Sequence, residues 1–369
     1  MSSFWGSVQL FILEGALKIA ITADVHLTSI KQNPERYHAL ENVLDYLSKH
    51  QITELIIAGD LFDAKFQQYS EFDNLINKKT YQKINTLAIA GNHDVGVRND
   101  FFTSDRIQII DSPTILNKSE YGMDILLIPY ERKRKISQVI TDSNSNFKQG
   151  TWVLISHCDW LGGIREINQY EVGIYMPLTR QDIGIYKPRF VFLGHVHKKN
   201  FIENVYIPGS PCGLDITETG RRSFLILDTS TGYVEEQYID TDIIYFDETL
   251  IALPADDESK FIDSQISNIL SKINKTRDGK EICLRLRVKG YSSNIKKLKE
   301  RITESFKPYR FYKDEEIDFS ELKVSENIEK NYVAERVKEI IQSSNLESNI
   351  DEPTQEQILL SALDIIYKE

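Results

Sequence analysis

Five short clusters of acidic, amide and imidazole side chains recur along the first 200 residues of the chain. They are Asp24 with His26, Asp60 after a glycine, Asn92-His93-Asp94 after another, His157 after Ser156, and His195 with His197 after Gly194. Five of the seven histidines fall in these clusters, while His38 and His50 lie on or just after the first helix. Carboxylate, imidazole and amide oxygen without thiolate suit hard or borderline divalent ions such as Mn2+, Fe2+ or Zn2+, rather than a structural zinc–sulfur site. An Asp-x-His pair at a strand end lets both side chains reach one ion. His195 and His197, two apart, point the same way on an extended strand. Each cluster alone has an ordinary explanation, such as a turn, a helix cap or a surface histidine. All five, in order and each at the end of an apolar run, argue for one site.

The runs before the clusters are the elements that must position them. Lys18–Ala23, Glu54–Ala58 and Thr86–Ala90 are brief and apolar, which suits buried strands. Between the first two, Pro34 follows Asn33 at a helix start, and Tyr37, Leu40, Leu44 and Leu47 recur at helical spacing. Strand, helix, strand is a βαβ unit. The intervals of 36 residues from Asp24 to Asp60 and 32 from Asp60 to Asn92 each fit one such step. In a parallel sheet, ligand sites gather at the carboxyl ends of the strands. Further strands are expected at Asp124–Ile128, Trp152–Ser156, Arg189–Leu193, Asn204–Ile207 and Ser223–Leu227.

The fold class is therefore α/β, a layered sandwich with a smaller α/β domain and C-terminal helices. Four parts are expected: an N-terminal extension (1–17), a main domain (18–253), a smaller domain (254–320) and an acidic helix pair (321–369). The break at 253/254 rests on Leu253-Pro254 and the turn-rich PADDES. In the smaller domain, a helix over Ser259–Ile273 precedes the strand EICLRLRVKG, whose apolar residues alternate with Arg285, Arg287 and Lys289. A second helix, capped by Ser292 or Ser293, carries Ile295, Leu298, Ile302 and Phe306, and Tyr309–Tyr312 reads as a returning strand. Ile328–Gln342 and Thr354–Tyr367 read as amphipathic helices.

Charge is segregated along the chain. The net −11 comes almost wholly from Asp314–Glu369, where 15 acidic face 5 basic residues, whereas Lys275–Lys313 holds 13 basic and 4 acidic. Such asymmetry says more about partners than the total does. No run of about 18 apolar residues suggests a membrane span. Cys158, Cys212 and Cys283 form no C-x-x-C pair and read as reduced, buried thiols of a cytoplasmic protein. The first residues lack a basic n-region, so no secretory signal is expected.

The ordered set D-x-H, G-D, G-N-H-D, H and G-H-x-H resembles the calcineurin-like metallophosphoesterase superfamily. The flanks GDLFD, IAGNHD, FVFLGHVHK and YIPGSP resemble its SbcD branch of DNA-repair nucleases, which includes archaeal, eukaryotic and phage counterparts. That resemblance covers Lys18 to about Asp228. It implies two divalent ions, Mn2+ above all. One would be held by Asp24, His26, Asp60 and His197, the other by Asp60, Asn92, His157 and His195, with Asp60 shared. His93 would bind no metal but act on the phosphate, and Asp94 would orient its ring. Ser156 departs from the glycine many relatives carry at that place; the ligand after it is kept. Two such ions activate a shared water and clamp the oxygens of an in-line displacement.

By the same resemblance the chain is a nuclease subunit, exonuclease and endonuclease, acting on DNA with an SbcC-like SMC-family ATPase. Its smaller domain would present DNA and its terminal helices would grip the partner's coiled coil. No membrane partner is implied, and a homodimer is left open. The chain itself has no G-x-x-x-x-G-K-[ST] loop. Two other readings stand beside this one: a nucleotide or cyclic-nucleotide phosphodiesterase, and a scaffold with a vestigial site, against which no ligand position is substituted. LKIAITADVH also reads like an initiating segment, so Leu17 is a candidate alternative start that would make Met1–Ala16 dispensable.

Overall fold

The computed structural model describes residues 17–64, 69–143, 147–162, 175–254, 258–277, 280–344 and 354–368. The expected N-terminal extension, apart from Leu17, and the connection over 345–353 lie outside the described residues. Contacts divide the chain into two compact units, with the main crossover between Ile239 and Asp240 and with Cys212–Arg222 grouped in the second.

In the first unit, β1 (Lys18–Thr22) leads through α1 (Pro34–His50) to β2 (Glu54–Ile57), which lies parallel beside it. Pro34 sits in the first turn of α1, where its missing N–H costs nothing, and Leu40, Val43, Leu44 and Leu47 are buried. After α2 (Ser70–Ile76), β3 (Asn85–Ile89) and β4 (Ile107–Ile110) extend the same parallel ladder. A second sheet follows: β5 (Thr114–Leu116), α3 (Lys118–Tyr121), β6 (Asp124–Ile128), α4 (Ile136–Asp142), β7 (Trp152–His157), α5 (Arg180–Tyr186), β8 (Phe190–Gly194), β9 (Asn200–Ile202) and β10 (Val205–Ile207). The chain then returns to the first sheet with β11 (Ser223–Asp228) and β12 (Tyr233–Tyr238). The two six-stranded orders are β12-β11-β1-β2-β3-β4 and β5-β6-β7-β8-β10-β9.

Strand alternation explains the layers. Ile19, Ile21, Ile56, Leu87, Ile89, Leu225 and Leu227 of the first sheet meet Ile125, Leu127, Val153, Ile155 and Phe192 of the second in one core. The opposite face of the second sheet, with Leu126, Leu154, Val191 and Leu193, is covered by Ile136, Val139 and Ile140 of α4. Strands covered on both faces must be apolar throughout, which is why they read as continuous runs. Ser156 fits this wall because its hydroxyl donates to the Ile128 carbonyl at 2.8 Å.

The second unit starts with β13 (Ile243–Ala252), which corrects the expected domain break at 253/254. β13 lies parallel to β14 (Glu281–Ser292), from Ile243 opposite Glu281 to Ala252 opposite Gly290, with α6 (Glu258–Arg277) as the crossover. The turn signals at 254–259 mark the end of β13, not the end of a unit. Then come α7 (Ile295–Phe306), β15 (Arg310–Phe311) and β16 (Leu322–Val324). The cap of α7 is Asn294, whose side chain accepts from the Lys297 amide at 3.0 Å, rather than Ser292 or Ser293. Ile282, Leu284, Leu286 and Val288 face α6 and α7.

The terminal helices α8 (Ile328–Ser343) and α9 (Gln355–Tyr367) belong to this unit. Ala334, Ile341, Leu359, Leu363 and Tyr367 close over Ile251, Leu253 and Tyr291, with Tyr367 stacked on Tyr291 at 3.9 Å. Among the described residues no helix is long and apolar enough to cross a membrane.

Candidate metal centre

All five sequence clusters arrive at one place in the first unit, because the parallel ladders continue past the formal strand ends. The Asp24 amide donates to the Gly59 carbonyl at 3.0 Å, and that of His26 to the Asp60 carbonyl at 2.9 Å. These loops approach so closely that there is no room for side chains. A Cβ on Gly59 would lie 2.0 Å from His157 Nδ1, and one on Gly91 would lie 2.1 Å from Asp60 Oδ1. The glycine of G-D and that of G-N-H-D are thus steric requirements of neighbouring loops. The turns are tight as well: Asp24, His26, Asp60 and His195 have φ of 53°, 49°, 50° and 91°. Each such non-glycine residue costs on the order of 1–3 kcal/mol and persists where its surroundings fix it.

His195 and His197 do not share a face of an extended strand, as their spacing suggests. They follow the end of β8, and the left-handed turn at His195 sends the two rings to different neighbours. His197 Nε2 lies 3.0 Å from His26 Nε2, which is 3.6 Å from Asp60 Oδ2. His195 Nδ1 lies 3.1 Å from Asn92 Oδ1; this oxygen is 2.8 Å from His157 Nε2, itself 3.3 Å from Asp60 Oδ2. Two donor groups therefore share Asp60. Ligand atoms of Asp24, His26 and His197 fall within 4.8 Å of one another, as do those of Asp24, Asp60 and His157.

The spacing fits divalent ions. Ligand bonds of about 2.0–2.2 Å place neighbouring donors of a tetrahedral or octahedral ion roughly 2.8–3.6 Å apart. The supporting contacts fit too. His157 Nδ1 is 3.0 Å from the Ala58 carbonyl, so its N–H is directed there and Nε2 faces the centre. Both oxygens of Asp24 accept the His195 amide, at 2.9 and 3.1 Å.

Asp94 uses its carboxylate on backbone, accepting from Gly91 at 2.5 Å and from Leu61 at 2.7 Å, and so pins the Asn92 loop to the Asp60 loop. His93 is half-buried. Its amide donates to Asp60 Oδ1 at 2.9 Å, its ring is edge-on to His26 at 4.7 Å, and its ring nitrogen is close enough to His26 and Asp60 to ligate with them.

Two residues at this centre carry no sequence signal that singled them out. Arg36, on the first turn of α1, donates to the His26 carbonyl and lies 3.6 Å from Asp63, tying two of the loops. Asp159 lies 3.5 Å from His195 Nε2; its place two residues after His157 was the one available hint. Cys158, beside His157, is fully buried, and burial pushes its thiol up, so it is not a ligand candidate.

Residues 17–199 match the family model described as calcineurin-like phosphoesterase. The sandwich and the cluster of donors agree with that match, to a family of metal-dependent phosphoester hydrolases. Among solved structures the chain is similar to purple acid phosphatase PPD1 from yellow lupin (Lupinus luteus) seeds. The identity is 11% and the TM-score 0.38, covering 59% of this chain and 52% of that one, so the chain spans about half its length. No curated protein is significantly similar to the chain.

The electrostatics yield a pH test. Burial raises Asp24 to about 6 and Asp94 to about 7, the latter also through Asp60. His157 would be lowered by burial, but the carboxylates of Asp60 and Asp24 raise it to about 10. Burial also works to raise Asp60, yet the imidazoles of His157, His26 and His93 hold it below the ordinary carboxylate range. Groups whose folded-state value is raised lend stability that is complete below their unfolded values and lost as pH climbs through the raised ones. Chelator-treated protein should therefore lose melting temperature steadily from pH 5 to 9.5, and excess Mn2+, replacing the lost protons, should flatten the decline. A metal-free melting temperature that holds or rises over that range contradicts the assignment.

Proposed function

We propose that the chain is an Mn2+-dependent DNA nuclease subunit of the SbcD type, hydrolysing phosphodiesters as exonuclease and endonuclease together with an SMC-like ATPase. The observation that carries the phosphodiester chemistry is the pair of donor groups meeting at Asp60. Asp24, His26, Asp60 and His197 would hold one ion, and Asp60, Asn92, His157 and His195 the other. Bound there, the ions would supply Lewis acidity toward the phosphate and toward water. The chain's own part is to orient and to move a proton. His93, half-buried and fixed through its backbone to Asp60, would neutralise the phosphate and protonate the leaving oxygen. Asp94 keeps the His93 loop in register.

DNA as substrate rests on the SbcD-like order of motifs and on the second α/β unit. The basic segment supports it less than its charge suggests. Arg287 lies 2.7 Å from Asp247, which also pairs with Arg285, and Lys289 lies 2.7 Å from Glu321. Arg301 pairs with Asp263, and Arg310 lies 2.9 Å from Glu281. These cations hold the second sheet and its helices together. The exposed Lys296, Lys297 and Lys299 of α7 remain the better phosphate contacts. The paired basic face is the observation favouring a nucleotide or cyclic-nucleotide phosphodiesterase as the second reading.

Assays with plasmid and oligonucleotide DNA beside cyclic nucleotides, all with Mn2+, separate the two. The proposal expects DNA cleavage, lost about 10²–10⁴-fold in His93→Ala while metal analysis of that variant shows wild-type occupancy. Cleavage of cyclic nucleotides alone would sink the nuclease reading, and an emptied site in His93→Ala would make His93 a ligand.

The partner contact is proposed on α8. Ile341, Leu359 and Leu363 are used inside the second unit, but Ile328, Tyr332 and Ile340 are 81%, 73% and 54% exposed at helical spacing. An apolar stripe on a helix whose three acidic and three basic side chains balance suits an apolar groove or coiled-coil seam. Removing the whole helix pair would uncover Ile251, Leu253 and Tyr291, so point changes test it more cleanly. Tyr332→Glu with Ile340→Glu should keep the melting temperature and Mn2+-dependent cleavage yet abolish co-purification with the ATPase. Full-strength binding by that variant removes α8 as the grip.

A further inference from the structure

Asp159 is 5% exposed, beside the candidate metal centre yet outside every cluster that the sequence marks. A carboxylate buried so far is stable only when donors or cations meet it, since its desolvation costs several kcal/mol. Its donors are specific. Oδ2 accepts the Tyr175 amide at 2.8 Å. The backbone is anchored on the same segment: the Asp159 amide donates to the Tyr175 carbonyl at 2.9 Å, and the Leu178 amide to the Asp159 carbonyl at 2.9 Å. With the main chain held twice and Oδ2 once, Oδ1 has little freedom, and it lies 3.5 Å from His195 Nε2. The Tyr175 ring, 4.8 Å from that of His195 and inclined at 45°, packs beside the imidazole.

The two nitrogens of His195 therefore point to different sides. Both face oxygen acceptors: Nδ1 is 3.1 Å from Asn92 Oδ1, on the side of the centre where an ion would come between them, and Nε2 is 3.5 Å from the Asp159 carboxylate. A neutral imidazole carries one N–H and one lone pair, and an ionised carboxylate can only accept. We infer that Asp159 is a positioning residue for His195: by taking the N–H at Nε2 it fixes the tautomer whose Nδ1 lone pair is offered to a divalent ion. This rests on the reading of His195 as a ligand. It adds the reason that His195 ligates through Nδ1 while His157, held at Nδ1 by the Ala58 carbonyl, presents Nε2. A carboxylate behind an imidazole also raises its basicity, so the ion bound by Asn92, His157 and His195 depends on Asp159, whereas the ion bound by Asp24, His26 and His197 does not.

Asp159→Asn tests this with almost no change of volume. The Tyr175 amide still needs an acceptor, so the new side chain keeps its oxygen there and turns its NH2 toward Nε2. Nε2 must then accept, the proton moves to Nδ1, and the lone pair is withdrawn from the centre. Two measurements read the result. In 15N-histidine NMR of the protein loaded with diamagnetic Zn2+, one histidine should show a metal-bound Nδ1 with a protonated Nε2 in the wild type and lose that pattern in Asp159→Asn. In calorimetric titration with Mn2+, one of the two ions should bind about 10–100-fold more weakly and the other unchanged. A merely structural role would lower the melting temperature and leave the tautomer alone. If Asp159→Asn does not fold, Asp159→Ser carries the same expectation for the titration.

His195→Ala is the control and should lose the same ion. Two ions at wild-type affinity in Asp159→Asn, with one lost in His195→Ala, overturn the positioning role and leave the metal assignment standing. Two ions at wild-type affinity in both variants overturn the metal assignment at His195 and the positioning role with it.

Discussion

Asp24, Asp60 and Asp94 are buried together, at 0%, 1% and 6% exposure, in a cluster of loops where like charges cannot all remain ionised without compensation. The protein divides the problem unequally. Asp24 and Asp94 are pushed up toward neutral pH, chiefly by burial. Asp60 alone is held down, because three imidazoles surround it. It is the negative centre around which the rest is fitted. Gly91 has no Cβ because Asp60 Oδ1 occupies that space, and the His93 amide is turned toward the same oxygen. A divalent ion on either side of Asp60 would replace the protons that otherwise balance these carboxylates.

The sandwich exists, in energetic terms, to hold that arrangement still. Left-handed φ values at four of the site residues store strain that isolated loops would relax, and the continued parallel ladders oppose it. The two apolar sheet faces that meet at Ile56, Leu127, Ile155 and Phe192 give the strand ends a rigid base. Site geometry on such a base is reproducible to a fraction of an ångström, which metal coordination requires. The second unit uses charge differently. Asp247 receives Arg285 and Arg287 on the face of β14 away from its core, so much of a segment that reads as a free basic patch is internal structure.

The site was largely legible in the sequence because parallel strands end where ligands gather, so five motifs at five run ends predict one cluster. Burial on both faces also made the central strands readable as continuous apolar runs. Other features escaped for identifiable reasons. β13 was assigned to the wrong unit because its partner, β14, begins 38 residues after it does, and turn residues do not say which sheet a strand has joined. The different directions of His195 and His197 depend on a left-handed backbone that spacing cannot reveal. Asp159 and Arg36 act through three-dimensional contacts to His195 and to the His26 carbonyl, and neither stands in a motif. The apolar stripes of α8 and α9 were visible, but which positions are consumed by Leu253 and Tyr291 was not.

The central claim is that Asp60 is shared by two divalent ions held by otherwise separate ligands. Crystals grown with Mn2+, measured on both sides of the manganese absorption edge, test it directly. The account predicts two anomalous peaks, one against Asp24, His26 and His197 and one against Asn92, His157 and His195, with Asp60 in contact with both. A single peak, or two peaks of which one does not touch Asp60, contradicts it.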